Sequence, residues 1–322
     1  MKVYTYCEYN GCKNTGKPIF LGYAKEYLTL LSTENLTIVA ALGEVGDFSG
    51  SALCLGYFDG VHIAHRKLFE KAKEHGAWGV LLLDRNVKNM PLLTTMYEKV
   101  RLIEEAGADY VIIAEFTESF MNKTPEEFAE FLAKTLKVSK VVAGYDYRFG
   151  KQASGNAKTL VKLSEKAGFS VEIVDAECVN GEPIKSTAIR EYIKNGEIQK
   201  ANALLGYDYI ISGIVEKGLR NGHKLGFPTA NIAYSYEKLL PADGVYCGRI
   251  FGKDAVVNVG KNPTFDAARR TVEVHIPDFD GDLYGKHIEV TILEKIRDDI
   301  KFKNMEDLIS RIKKDIEFVK GR

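Results

Sequence analysis

From about residue 51 to residue 205 the chain alternates short apolar runs with longer stretches whose apolar positions recur at helical spacing. Ala52–Leu55, Gly79–Leu83, Tyr110–Ile113, Lys140–Ala143 and Val171–Val174 are nearly continuous in apolar residues. Strands of a parallel sheet covered on both faces read this way. Between them, Thr94–Ala106 and Thr124–Leu136 are predicted helices. The second opens on Thr124-Pro125-Glu126-Glu127, with a capping threonine, proline at the first helical position and acids in the first turn. The pattern predicts a doubly wound α/β domain. After Leu205-Gly206 it changes to short alternating runs broken by glycine turns, which predicts a small antiparallel β-barrel. Met305–Val319 reads as a charged amphipathic helix packed on that barrel. The change of pattern places a domain boundary at Gly206, giving residues 1–205 and 206–322. The first 50 residues lack a strand–helix–strand pattern and read as an added hairpin and helix.

At 322 residues the chain is long enough for two domains. Lysine plus arginine and aspartate plus glutamate are both 44, so no overall field draws it to nucleic acid or to anionic lipid. No apolar run approaches the roughly 18 residues needed to span a bilayer, so no membrane partner is expected. The start, Met1-Lys-Val-Tyr-Thr-Tyr6, lacks the basic-then-apolar order of a signal peptide. Five scattered cysteines without a CxxC pair read as reduced thiols, and the cytoplasm is the expected compartment. Nothing in the composition sets an oligomeric state.

Candidate chemistry concentrates first in residues 217–232. Gly218, Gly222 and Gly226 recur every four residues, interleaved with Lys217, Arg220, His223 and Lys224. Such a loop lets backbone N–H groups approach an anion and supplies cations beside it. Pro228 then holds the chain extended, so that Thr229 and Asn231, two apart, present their oxygens on one side. Hard oxygen ligands beside a cationic glycine loop suit Mg²⁺ and a nucleotide; a glycine-rich hairpin with an ordinary turn is the alternative. Thr271–Ile276 alternates polar and apolar, which puts Glu273 and His275 on the face opposite Val272, Val274 and Ile276. Either could serve as a general base.

These residues carry a resemblance. Gly213-Ile-Val through Asn231-Ile232, Asp243-Gly-Val-Tyr246, Asn262-Pro-Thr-Phe265, Val272–Ile276, Gly281-Asp-Leu-Tyr-Gly285 and Ile296-Arg-Asp298 resemble, in order, the blocks of the riboflavin kinase family. The resemblance implies that Thr229 and Asn231 hold Mg²⁺ and nucleotide phosphates, and that Gly218, Gly222, Lys224 and Gly226 cradle the nucleotide. It also implies that Asn262 and Arg297 contact flavin, and it puts Glu273 ahead of His275 as the base.

The first domain carries a second resemblance. Leu53–Phe69 reads as a strand, a glycine turn and a helix, the place where such folds bind anions. Gly56-Tyr-Phe-Asp-Gly-Val-His62-Ile-Ala-His65 resembles the signature of nucleotidyltransferases, specifically the adenylyltransferase half of bifunctional flavin enzymes. Leu93-Thr-Thr-x3-Lys99, Gly144–Gly150 and Ser186-Thr-Ala-Ile-Arg190 resemble later motifs of that half. The resemblance implies ATP-phosphate contacts from His62 and His65 and nucleotide binding by Gly56, Phe58 and Asp59. Asp146 falls in the substrate-contact block, and Ser186, Thr187 and Arg190 in a phosphate-gripping block. Ser186 and Thr187 also fit as helix caps, and His62 and His65 as a metal pair or surface histidines.

Together the resemblances cover residues 51–322 and imply a riboflavin kinase/FAD synthetase, in which ATP and Mg²⁺ convert riboflavin to FMN and ATP converts FMN to FAD. Four places depart from the pattern. Ala64 stands where the family has glycine, Leu83–Lys88 replaces a Phe-x-Pro-His-Pro loop, Lys185 replaces a serine, and His223 stands where the kinase half has arginine. The alternatives they raise are a kinase with a degenerate partner domain and a non-catalytic flavin-responsive protein. Two further patterns carry little. Gly11–Pro18 nearly spells a P-loop but has proline where the Mg²⁺-binding hydroxyl belongs, and Asp278–Glu289 has EF-hand spacing with Leu283 in place of glycine. The latter reads as an acidic hairpin turn, a flap over the flavin.

Overall fold

The computed structural model describes residues 2–6, 37–40, 48–179, 181–216, 226–261, 270–302 and 304–322. These fall into two units, one of residues 1–90 and 96–184, the other of residues 91–95 and 185–322.

Seven parallel strands form the spine of the first unit: β1 (Lys2–Tyr6), β2 (Thr37–Ala40), β3 (Ala52–Leu55), β4 (Trp78–Leu83), β5 (Tyr110–Ala114), β6 (Lys140–Gly144) and β9 (Ser170–Val174), in the order β2-β1-β5-β4-β3-β6-β9. The apolar runs form the central strands because both faces are covered. Leu53 and Leu55 point into a cluster with Ile112, Phe128 and Leu132, while the Cys54 thiol faces the other way, toward the Leu68 carbonyl of α1 (Ile63–Lys73). Each such buried side chain stabilises the unit by about 1.5–3 kcal/mol. The other main helices are α2 (Met96–Glu105) and α5 (Ala157–Ala167), with a short α3 (Glu118–Met121) between them. α4 (Pro125–Glu130) starts at the expected place with a full capping box: Glu127 N–H donates to Thr124 Oγ1 and Thr124 N–H to Glu127 Oε2. It runs on as a π turn over Phe131–Thr135. Two small hairpins, β7 (Arg148–Phe149) with β8 (Gly155–Asn156) and β10 (Cys178–Val179) with β11 (Glu182–Pro183), complete the unit.

Among the described residues of the N-terminal segment, the two strands do not pair as a hairpin. β1 pairs in parallel with both β2 and β5, extending the sheet at one edge. Local pattern shows that a segment is strand-like but not which edge receives it.

In the second unit, α6 (Ser186–Lys194) and α7 (Ile198–Leu205) precede a closed barrel. Its strands are β12 (Tyr209–Glu216), β13 (Ala230–Tyr234), β14 (Gly244–Ile250), β15 (Lys253–Lys261), β16 (Arg270–His275) and β17 (His287–Asp298), in the order β12-β13-β16-β15-β14-β17 with β17 closing on β12. Alternate residues such as Val215, Ile232, Val257, Val272, Val274 and Val290 are buried. α8 (Met305–Lys320), capped by Asn304, lays Val319 on Val245, Cys247, Val256 and Leu293. The two helices before the barrel join it through Asn202, whose amide donates to the Ile292 carbonyl at 2.9 Å, and through the Ile193 carbonyl, which accepts from Ala242 N–H. The compact unit therefore begins at Lys185, while the change of pattern at Gly206, φ +78°, marks the end of α7. Pro91–Thr95 also belongs to this unit: Leu92 N–H donates to Glu237 O at 2.7 Å, and Leu239 N–H returns to Leu92 O at 2.8 Å. No helix among the described residues is long and apolar enough to cross a membrane.

Candidate functional site

The strand register of the barrel assembles one row of polar residues. Asn231 on β13 lies directly across from Glu273 on β16, and Glu273 directly across from Asn258 on β15. Opposed residues of an antiparallel pair share a face, so both amides flank one carboxylate. Thr229, two residues before Asn231, donates its hydroxyl to Glu273. Burial raises the Glu273 pKa above the ordinary carboxylate range, and the Thr229 hydrogen bond opposes that rise without cancelling it. Among the described residues, neither the Asn231 nor the Asn258 side-chain amide makes a hydrogen bond, although both are half-buried. Half-buried amides without protein partners are suited to receive a polar ligand. Asn258 was not singled out in the sequence; its signal is the strand pairing, which local pattern does not display.

His275, the rival base, has its Nδ1 2.9 Å from the Pro228 carbonyl, and its ring meets Phe227 edge-on. It therefore donates there and fastens the extended Pro228–Asn231 segment. A 420 Å³ cavity is lined by Pro228, Thr229 and Ala230 on one side and by Phe279, Asp280, Asp282 and Tyr284 on the other. The acidic turn thus sits at this cavity, and the described residues hold no cluster of three acidic, cysteine or histidine side chains able to bind a metal by themselves. Gly226 has φ +84°; Gly218, Gly222, Lys224 and Asn262, like the near P-loop of residues 11–18, lie outside the described residues. The Arg297 guanidinium pairs with buried Asp315 of α8, with Nη2–Oδ2 2.8 Å and Nε–Oδ2 3.0 Å.

In the first unit, the β3–α1 turn is strained. Phe58 and Val61 adopt φ of +49° and +37°, unusual for any residue and costly for a β-branched one. A larger residue at Gly56 would have to displace the buried Phe58 ring, since a Cβ there would lie 2.8 Å from it. The turn delivers His62 as the N-cap of α1, its Nδ1 accepting from His65 N–H at 3.4 Å. The two imidazoles stack at 3.5 Å, and Phe58 packs edge-on against His65. Burial, followed by repulsion from His62, Lys99 and Lys88, pushes the His65 pKa well below its usual value, so that His65 is neutral at pH 7. Its buried Nδ1 has no hydrogen-bond partner among the described residues. Asp59 is buried and attracts the buried Lys99, whose Nζ donates to the Tyr57 carbonyl at 3.1 Å.

Beside this turn lies a cavity of 730 Å³. Leu55, Leu81, Phe116, Phe120, Phe128 and Phe149 give it apolar walls; Lys88, Arg148 and Lys151 line it too, with no acidic residue among them. Asp146 is exposed on the turn after β6, whereas its neighbours Tyr147, Arg148 and Phe149 line the cavity. Ser186 and Thr187 occupy the first turn of α6 without capping it: the cap position is Lys185, which makes no side-chain capping bond. Arg190, buried, donates from Nε to the Pro91 carbonyl at 3.1 Å. These three belong to the second unit and the histidine pair to the first.

Comparison with known proteins gives this geometry a context. A riboflavin kinase family model matches residues 205–321 and an FAD synthetase model residues 46–188. The bifunctional riboflavin kinase/FMN adenylyltransferase of Haemophilus influenzae is 38% identical over 292 residues, covering 84% of this chain and 94% of that protein. The chain belongs to the bifunctional riboflavin kinase/FMN adenylyltransferase family. Relatives of the same description from Bacillus subtilis and Escherichia coli are 33% and 34% identical, over 90% of their lengths. The crystal structure of a macrolide-efflux protein from Streptococcus pneumoniae is similar too, with TM-score 0.77, 31% identity, and coverage of 87% of this chain and 96% of that one.

Within this family the departures acquire local explanations. Ala64 lies inside α1 with ordinary helical backbone, so the helix itself does not require glycine there. The loop after β4 is fastened to the β3–α1 turn: Tyr57 donates its hydroxyl to Asn86 Oδ1 at 2.9 Å, and Asn86 Nδ2 donates to the Met90 carbonyl at 2.7 Å.

Proposed function

We propose that the barrel phosphorylates riboflavin with ATP and that the α/β domain adenylylates the resulting FMN to FAD. The kinase reading is carried by the Asn231–Glu273–Asn258 row with Thr229 bonded to Glu273. A ribityl hydroxyl attacks the γ-phosphorus, ADP departs with the bridging oxygen, and Glu273 takes the hydroxyl proton. Its raised pKa brings it closer to the pH at which a general base works best. Thr229 and Asn231 offer neutral hard oxygens, a donor set that fits Mg²⁺ once nucleotide phosphates fill its other positions; bound there, the ion neutralises charge developing on those phosphates. Gly218, Gly222, Lys224 and Gly226 serve the nucleotide, and Asn262 the flavin. Arg297 contacts the flavin.

In the α/β domain the 730 Å³ cavity, apolar and aromatic with cations, suits a planar ring system carrying an anion. An FMN phosphate oxygen attacks the α-phosphorus of ATP and pyrophosphate leaves, with no protein nucleophile. His62 and His65 contact the ATP phosphates; Gly56, Phe58 and Asp59 shape the turn beneath them. Ser186, Thr187 and Arg190 grip phosphate, and Asp146 borders the flavin. We assign adenylyl transfer to residues 1–205 and kinase activity to residues 206–322, acting in the cytoplasm. A kinase with a degenerate partner domain and a non-catalytic flavin-responsive protein are not favoured. Incubation with riboflavin, ATP and Mg²⁺, and separately with FMN and ATP, tests the reading by chromatography of the products. FMN and FAD are expected from the first and FAD from the second; no FAD from FMN removes the adenylyltransferase half.

A further inference from the structure

The family's substrate loop is replaced here by Leu83–Lys88, and the structure shows what stands in its place. Lys88 lines the 730 Å³ cavity, with its Nζ 4.8 Å from the centre of the Tyr57 ring. Lys99 Nζ approaches the same ring at 4.9 Å while holding the Tyr57 carbonyl. Tyr57 follows Gly56 in the strained turn that ends at His62, and its hydroxyl ties the replacement loop down through Asn86. Lys88 is therefore the cavity's cation on the side of the histidine pair, close enough to repel His65 and Lys99, whereas Arg148 and Lys151 come from β7 and the turn that joins it to β8. Among the described residues none of Lys88, Arg148 and Lys151 has a carboxylate partner, and the cavity walls carry no acid. Cations lining one apolar cavity repel one another until an anion arrives.

We infer that Lys88 binds the phosphate of the flavin substrate and holds that phosphate for attack on the nucleotide's α-phosphorus. The inference rests on the adenylyltransferase reading. The attacking phosphate and the nucleotide are both anions. A lysine contacting the flavin phosphate offsets their repulsion while a phosphate oxygen forms its bond to the α-phosphorus and the α–β bridge breaks, releasing pyrophosphate.

The test is steady-state FAD formation from FMN and ATP by Lys88→Ala and Lys88→Arg, with riboflavin phosphorylation measured on the same preparations. Lys88 is exposed, so neither substitution removes a packed side chain. Lys88→Ala is expected to lower kcat/KM for FMN about tenfold or more, chiefly through KM for FMN, with KM for ATP and riboflavin phosphorylation unchanged. Lys88→Arg, which keeps the charge, should recover most of the loss. Wild-type FAD formation by Lys88→Ala, or a loss confined to KM for ATP, overturns the inference. Absence of FAD formation by the unsubstituted chain overturns the adenylyltransferase reading instead.

Discussion

Glu273→Gln is the substitution whose consequences the structure constrains most tightly. Glutamine keeps the shape of the side chain and an oxygen to accept the Thr229 hydroxyl, and the flanking Asn231 and Asn258 positions are fixed by strand pairing. The geometric cost should therefore stay within the roughly 1 kcal/mol of one altered hydrogen bond. What disappears is the proton acceptor, and loss of a positioned general base lowers rates by about 10²–10⁴, equivalent to roughly 3–5 kcal/mol of barrier. Stability should move the other way. The folded-state pKa of Glu273 is raised by burial, so the protonated form is the one folding favours. That contribution is fully present below the unfolded-state pKa and is lost as pH rises through the folded value. At neutral pH the glutamine variant, which buries no charge, should melt at the same temperature as the parent or higher, and the difference should close as pH falls below the ordinary carboxylate range. Riboflavin phosphorylation and melting temperature, each measured across pH on both proteins, provide the assay. The parent's rate should fall as pH drops through the raised pKa, and the variant should lack that limb. A variant that phosphorylates at the parental rate, or that loses activity and stability together at neutral pH, refutes the assignment of Glu273 as base.

Other outcomes follow from the same geometry. Asn258→Asp places a second carboxylate across from Glu273; like charge should raise the Glu273 pKa further and move the acid limb of riboflavin phosphorylation to higher pH, leaving FAD formation from FMN unchanged. Asp315→Ala strips the buried partner from Arg297 and leaves Arg311 facing it, a loss of about 3–5 kcal/mol measurable by urea unfolding. His62→Asn keeps a side chain that caps α1 at least as well but removes the ring stacked on His65. Melting temperature should hold while FAD formation falls about tenfold or more and riboflavin phosphorylation persists.

Much of this arrangement was legible in the chain. Continuous apolar runs at Ala52–Leu55 and Tyr110–Ile113 announced strands buried on both faces, and Thr124 with Glu127 announced a helix start with its cap. Alternation across Val272–Ile276 put Glu273 on the outward face, where the structure has it beside Thr229. What escaped depends on partners distant in sequence. The parallel docking of β1 onto β5 is decided by a sheet edge more than a hundred residues later. Asn258 gains meaning only through the register of β15 on β16, and the aspartate that pairs with Arg297 comes from α8. Lys88 looked like the residue left when a motif was lost; its place beside Tyr57 required the fold of the intervening turn.

The small excursion of Pro91–Thr95 into the second unit bears on how the polypeptide matures. Lys238 reaches back to the Leu93 carbonyl at 2.6 Å across 145 residues of sequence, and the backbone of Leu92 bonds on both sides to the same turn. The covalent path thus enters the second unit, leaves it, and returns at Lys185, so no single cut of the chain separates the units cleanly. A ribosome making this protein emits the whole of the α/β unit before the partners of Leu92 and Leu93 exist. Those five residues must wait as an unfilled docking strip until the turn around Lys238 has been synthesised, and only then is the seam closed. A barrel fragment begun at Gly206 would lack that strip and should be less stable than the same barrel within the full chain.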